Sequence, residues 1–362
     1  MAIGFDVSRP SRQREEVTWL SERLARYCGI PRLLGRIRSV RCVVFHDISN
    51  GDSPFTSGLG ISLRPSEFEA TLEFLTANYA PVSLEDLLSS PSERDLPPNA
   101  ILVTFDDGYA SAMTWAAPLC AERRVPAVFF LSAAFLDNRR LSPDNLVCYV
   151  ANVMGMEPIN AAVREVSGCR NLKFACRADV SRTFFPSISA AQRQEFLTAL
   201  EHFADLRSRQ LAEQAGLYVT RQQVKELASL GFEIGSHTYS HVRCRSLTHE
   251  EMDQEIRKNG TELESISGKP VRSFSLPYGS SADLTGEVAE FLEATGHRAV
   301  FLSESVANNR SSTPRCLNRV SLHTGAEGRL SFEIEVLPRL RAVRNRLFRG
   351  RRQARLSTQE LH

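Results

Sequence analysis

Short apolar runs alternate along this chain with longer segments in which apolar residues recur every three or four positions. Cys42-Val-Val-Phe45, Ala100-Ile-Leu-Val-Thr-Phe105 and Val125-Pro-Ala-Val-Phe-Phe-Leu131 are too short for helices and apolar on both faces. They predict buried strands of a parallel arrangement. Between the first two, Pro65 to Tyr79 places Phe68, Leu72 and Leu75 on one helical face. The series resumes with strands over Gly231–His237, Val271–Leu276, Ala299–Leu302 and Arg319–His323. Helices are predicted from Thr220, where Thr220 and Gln223 make a capping box, over Thr248–Ile266, and near Thr285–Thr295. Strands alternating with helices imply βαβ units, hence an α/β fold with a parallel sheet or barrel.

Three segments depart from this rhythm. Residues 136–219 are mostly helical in pattern, with breaks at Gly168-Cys-Arg-Asn and Phe185-Pro-Ser, and read as an insertion that could cap a site. Residues 1–40 hold an N-terminal helical segment, with Val17, Leu20, Leu24 and Tyr27 at helical spacing. Residues 336–362 form a basic tail, with eight arginines and no acidic residue between Val336 and Ser357, interspersed with Leu337, Leu340, Val343, Leu347 and Phe348. Such a segment can lie on an anionic membrane surface or remain a solvated terminus. The central body is therefore 41–335.

Composition narrows the partners. The net charge of +2 argues against strong attraction to nucleic acid, and no nucleic-acid partner is expected. Eight cysteines are scattered without a CxxC pair, mostly beside apolar residues, which suggests buried thiols in a reducing compartment. With neither a signal-peptide pattern nor an apolar run long enough to span a bilayer, a cytoplasmic location is expected.

Candidate chemistry lies just after predicted strands, where α/β barrels build their sites. Thr104-Phe-Asp-Asp-Gly108 places adjacent carboxylates at a strand end. One can bind a cation while the other accepts a proton from water, although Asp-Gly alone is also an ordinary turn. In Ser236-His-Thr-Tyr-Ser-His241, histidines four apart can reach one metal. Two imidazoles and one carboxylate make the open three-ligand set used by hydrolytic zinc enzymes. His46 and Asp47, after the first strand, could also border the site. Tyr109 and Tyr239 could stack on a sugar ring or simply pack.

Together these segments resemble the first two motifs of the polysaccharide deacetylase, or NodB-homology, family. Phe274-Ser-Leu-Pro-Tyr-Gly279 resembles its third motif and Val320-Ser-Leu-His323 its last, in matching order over roughly residues 41–325. The resemblance implies a distorted (β/α) barrel of about seven parallel strands that removes N-acetyl groups from saccharides. It implies Asp106 as general base, Asp107, His237 and His241 as ligands of one zinc-like divalent ion, and the Tyr278 N–H as an oxyanion donor. His323 would be the general acid, Leu322 would receive the acetyl methyl, and Pro277 and Tyr109 would border the substrate.

The sequence also departs from the family pattern. An arginine often stands two residues before the third-motif proline, turned toward the catalytic carboxylate; here that position is Ser275. The tryptophan-containing fourth motif is missing, since the tryptophans are Trp19 and Trp115. The expected substrate is an N-acetylated saccharide, glycolipid or polysaccharide precursor. The basic tail would suit a lipid-linked sugar at the inner membrane face. Alternatives are a hydrolase of small cyclic amides or ureides, and a non-catalytic glycan-binding protein of the same fold.

Overall fold

A computed structural model describes residues 39–90, 95–308, 315–322 and 326–344. The helix expected over residues 12–36, His323, and the tail beyond Arg344 lie outside the described residues.

The strands, in chain order, are β1 (Arg41–Phe45), β2 (Asp47–Ile48), β3 (Ser62–Leu63), β4 (Ala80–Pro81), β5 (Ala100–Phe105), β6 (Ala127–Leu131), β7 (Glu233–Ser236), β8 (Ser273–Ser275), β9 (Ala299–Leu302), β10 (Arg315–Asn318) and β11 (Val320–Ser321). β2 and β3 pair separately. The others form one parallel sheet in the order β10-β9-β8-β7-β6-β5-β1-β11, with β4 beside β5. β10 and β11 are two halves of one extended segment. The first half pairs with β9 and the second with β1, so the chain itself bridges the sheet's two edges. The result is a nearly closed α/β barrel with seven strand positions. The last strand was expected to begin at Arg319; instead it begins at Arg315 and is interrupted at Arg319. That residue turns its charged side chain inward (below).

Period-2 alternation divides the apolar side chains between two cores. Cys42, Leu102, Val128, Phe130 and Phe301 cluster on the inner side. Val43, Phe45, Ile101, Val103 and Phe129 cluster with Phe68, Leu72 and Leu75 of the helix Pro65–Asn78. β1, β5 and β6 are buried along their whole length, as their apolar runs require.

Between β6 and β7 the chain leaves the barrel. The helices Pro143–Val153, Glu157–Ser167, Ala190–Phe203 and Ser208–Ala215 build a further core around Leu146, Ile159, Phe185 and Phe196, which takes in Phe55 from the β2–β3 connection. Gly168 ends the second of these helices in a left-handed conformation, φ +67°. The break expected at Phe185-Pro-Ser is a short 3-10 turn, in which proline takes a first-turn position that needs no donor. The described cysteines are free thiols. Cys42, Cys120, Cys148 and Cys244 are buried, whereas Cys169 and Cys176 are exposed in the polar stretch after Gly168.

The C-terminal helical segment returns along the outside of the barrel. Glu335 is buried and pairs with Arg41, at the start of β1, at 2.8 Å. The described part of the basic tail, residues 336–344, therefore begins at the end of the barrel opposite the strand ends that carry the motifs. No helix among the described residues is long and apolar enough to cross a membrane.

Candidate active site

Side chains two apart on β5 share a face, so Leu102 and Thr104 direct Asp106 toward the barrel interior. The chain then turns through Asp107, φ +68°, and Gly108, φ +71°. The histidine loop behaves similarly, with Thr238 at φ +57° and His241 at φ +56°. Tyr278, in the third motif, has φ +63°. Nine described non-glycine residues have left-handed backbone, and Asp107, Thr238, His241 and Tyr278 are four of them. Each such residue costs about 1–3 kcal/mol, so their concentration at one place marks it as a site rather than a set of ordinary turns.

The first two motifs converge. Asp107 Oδ1 lies 3.3 Å from His237 Nε2 and 3.4 Å from His241 Nε2. These separations are long for hydrogen bonds. They match the edge of a tetrahedron whose ligands stand about 2.0–2.2 Å from a central ion. The other ring nitrogens each face an oxygen on the far side. His237 Nδ1 is 2.7 Å from the Ser275 carbonyl, so its N–H donates there and its Nε2 lone pair faces Asp107. His241 Nδ1 faces Asp144 Oδ2 at 3.4 Å. Imidazole ligands backed by a carbonyl or carboxylate are the usual arrangement in metal centres, and these residues fit a divalent ion.

Asp144 was not anticipated. It stands in the first turn of the insertion helix Pro143–Val153, capped by Ser142, and its carboxylate accepts from Tyr278 Oη at 2.8 Å and Ser181 Oγ at 2.8 Å. The insertion thus reaches the candidate metal ligands. Asn145 fixes that helix by donating to the Phe55 carbonyl and accepting from Ser142 Oγ and Tyr218 Oη. Asp144→Asn is expected to weaken zinc binding about 10–100-fold. Titration against a chromophoric chelator measures this, and an unchanged affinity would remove Asp144 from the metal's surroundings.

The electrostatics follow from burial and neighbours. Burial raises the Asp107 pKa, but the His237 contact and the nearby His241 and His46 outweigh it and hold the carboxyl well below its usual range. Burial lowers the His241 pKa, yet Asp144 and Asp107 outweigh it and raise the net value. His46 borders the cavity, and burial leads in depressing its pKa, which favours the neutral ring. Its neighbour Asp47 is structural: Ser49, Thr56, Ser62 and Ser111 all donate to its carboxylate and tie down the β2–β3 connection.

Asp106 is buried and gripped by Arg319, with Nη1 2.7 Å from Oδ1 and Nη2 2.6 Å from Oδ2. Burial raises its pKa, but the Arg319 charge and His237 prevail and keep it ionised. Two bonds from Arg319 and one from the Ser275 hydroxyl fill three of about four acceptor sites, which leaves capacity on Oδ1 free for a proton. Ser275 Oγ lies 3.1 Å from Asp106 Oδ2.

The third motif folds into a tight turn, Pro277–Gly279. Gly279 N–H donates to the Leu276 carbonyl at 2.9 Å, while the Tyr278 N–H has no acceptor among the described residues. Gly279 has φ +63°, and a Cβ there would stand 2.5 Å from the Ser303 backbone nitrogen. Gly279→Ala is therefore expected to cost at least about 1–3 kcal/mol of stability, read as a lower urea midpoint; an unchanged midpoint would refute the close approach.

These groups line a cavity of about 370 Å³, within the range of small-ligand sites. Asp106, Asp107, His237, His241 and Tyr278 all face it. Tyr109 touches it by one edge but is packed against Tyr218, with its hydroxyl at Asn145. Tyr239 is packed under Lys258. Pro277 is buried in the turn, and Leu276 and Tyr278 border the cavity on either side of it. Leu322 belongs to the outer core with Phe45 and Leu330, and Ser321 borders the cavity instead. Neighbouring positions on an extended strand face opposite ways. His323 lies outside the described residues.

The resemblance carried by the motifs extends to known proteins. Residues 171–297 match the polysaccharide deacetylase family, a span that holds both histidines and the third motif but not Asp106 or Asp107. YxkH of Bacillus subtilis strain 168, itself only provisionally described as a polysaccharide deacetylase, is 27% identical over 111 residues. That alignment covers 31% of this chain and 39% of the length of YxkH. In solved structures, the deacetylase PplD of Streptococcus pyogenes, in complex with acetate, is 12% identical with a TM-score of 0.54, covering 82% of this chain and 97% of its own. IcaB from Ammonifex degensii is 17% identical with a TM-score of 0.51, covering 83% and 98%. At such identities the likeness is one of fold.

Proposed function

From this resemblance to polysaccharide deacetylases, we propose that the protein is a metal-dependent hydrolase that removes N-acetyl groups from a saccharide, glycolipid or polysaccharide precursor. The observation that carries the reading is the convergence of Asp107, His237 and His241 beside a buried, ionised Asp106 in one cavity. Those three residues would hold a divalent ion of the zinc type, which would supply Lewis acidity for amide hydrolysis. Asp106 accepts the water's proton at a lone pair not engaged by Arg319. The Tyr278 N–H donates to the developing oxyanion, and the strained backbone at Tyr278 presents it preorganised. His323, four residues beyond Arg319 in sequence, is assigned to protonate the departing nitrogen.

The test is acetate release by zinc-loaded protein from N-acetylglucosamine oligomers, in parallel with a panel of cyclic amides and ureides. Acetate from the oligomers supports the reading. Cleavage confined to the cyclic substrates would reassign the reaction, and zinc-loaded protein inactive on both would make this a binding protein. A location at the inner face of the cytoplasmic membrane, through the basic tail, is part of the proposal. Truncation after Arg344 tests it, because Glu335 and Pro338 are needed by Arg41 and Ala307 of the barrel. Unchanged sedimentation of the truncated protein with anionic vesicles would sink it.

A further inference from the structure

We propose that Arg319 is the positioning residue for Asp106, supplied by the strand that closes the barrel and standing in for the arginine absent at Ser275. This rests on the reading of Asp106 as the base.

Arg319 is 0% exposed, and each nitrogen of its guanidinium is used. Besides its fork onto Asp106, Nη1 lies 3.2 Å from Thr104 Oγ1, Nη2 donates to Ser275 Oγ at 2.7 Å and to Ser303 Oγ at 3.1 Å, and Nε to the Leu302 carbonyl at 3.3 Å. Its carbon lies over the rings of Phe130, at 5.4 Å, and Phe301, at 5.8 Å. β5, β8, β9 and the closing segment therefore all hold this one side chain. A planar fork on a carboxylate fixes the carboxylate's plane as well as its charge. The oxygens of Asp106 cannot rotate without breaking one of the two bonds, so the free lone pairs keep a set direction.

The other well-buried pair shows why this one is more than a structural bridge. Arg41 and Glu335 meet at the opposite end of the barrel, away from the cavity. Asp106 borders the cavity and adjoins the Asp107–histidine cluster. The small Ser275 side chain completes the arrangement. It contacts Asp106 Oδ2 and accepts from Arg319, and it leaves the interior volume that the guanidinium fills. The interruption between β10 and β11 has the same origin. Arg319 N–H donates to the Leu302 carbonyl while its side chain turns into the barrel. Closure of the barrel and orientation of the base are thereby one event.

Arg319→Lys keeps the charge and loses the fork. We expect kcat for acetate release to fall about tenfold or more, because small misplacements of a reacting group carry costs of that order. KM should stay within about threefold, and zinc affinity should be unchanged. In Arg319→Ala, added guanidinium should restore part of kcat where ammonium does not. The double variant S275R/R319S should be more active than R319S alone. An active wild type with a fully active Arg319→Lys variant would overturn this inference alone. So would a kcat loss matched by lost zinc affinity or lost cooperative unfolding, because a merely structural role predicts that pattern. If Arg319→Ala does not fold, the lysine variant and the swap decide. A wild type that takes up zinc but releases no acetate overturns both this inference and the functional reading.

Discussion

Asp106→Asn is expected to lower kcat for acetate release by about 10²–10⁴-fold while leaving zinc uptake intact. Asparagine preserves the shape of the side chain but cannot accept the water's proton. It also places an amide where Arg319 expects a charged oxygen, so a moderate loss of stability should accompany the loss of rate. Metal content and acetate release measured on the same preparation separate the two roles of the Asp106–Asp107 pair. Full activity in this variant would show that some other group takes the proton. Loss of zinc together with activity would show that Asp106 is a ligand, against the geometry, in which its Oδ2 stands 3.9 Å from His237 Nε2 and is held by Arg319.

Removal of the metal, by chelation or by His237→Ala, is expected to reduce acetate release by about 10³-fold or more, since Lewis acidity supplies several kcal/mol of the barrier reduction. Zinc added back should restore the chelated wild type but not the variant. Binding should also raise the melting temperature, with a stabilisation of about 4 kcal/mol at a thousandfold excess over Kd. The pH dependence has a definite sign. Ligands must be deprotonated to bind, and His241 has a pKa raised above the ordinary 6.5 because Asp144 and Asp107 outweigh burial. Zinc affinity is therefore fully present at high pH and declines as pH falls through that raised value. Asp144→Asn should move the decline to lower pH. Zinc titrations across pH 5–9 check this, and a decline at the same pH in both proteins would contradict the role given to Asp144.

Much of the barrel was legible in the chain, and for a simple reason. β1, β5 and β6 are buried on both faces, so their apolar runs stand out against the amphipathic helices between them. The capping box at Thr220 and Gln223 also formed as read, since it depends only on neighbours three residues apart. β4 and the two-residue pair β2 and β3 were not legible. They are too short to carry a period, and pairing alone defines them.

The candidate ligands were legible for a related reason. Asp107, His237 and His241 lie in two short motifs, and each motif sits at the end of a readable strand. The sequence by itself determined those strands, the motifs after them and the chemistry of their side chains. Only the tertiary structure decided what surrounds them. Arg319 looked like the first residue of a late strand, and Asp144 stood unmarked within the segment read as a helical insertion. Arg319 is 213 residues from Asp106, and Asp144 comes from an insertion whose pattern records only its own core. The family resemblance assigned Leu322 to the acetyl methyl, but the alternation of its strand turns it into the outer core. A residue's local period shows whether it will be buried; which partner it meets there depends on closure of the barrel and docking of the insertion. Those contacts form between segments whose sequences carry no mark of each other.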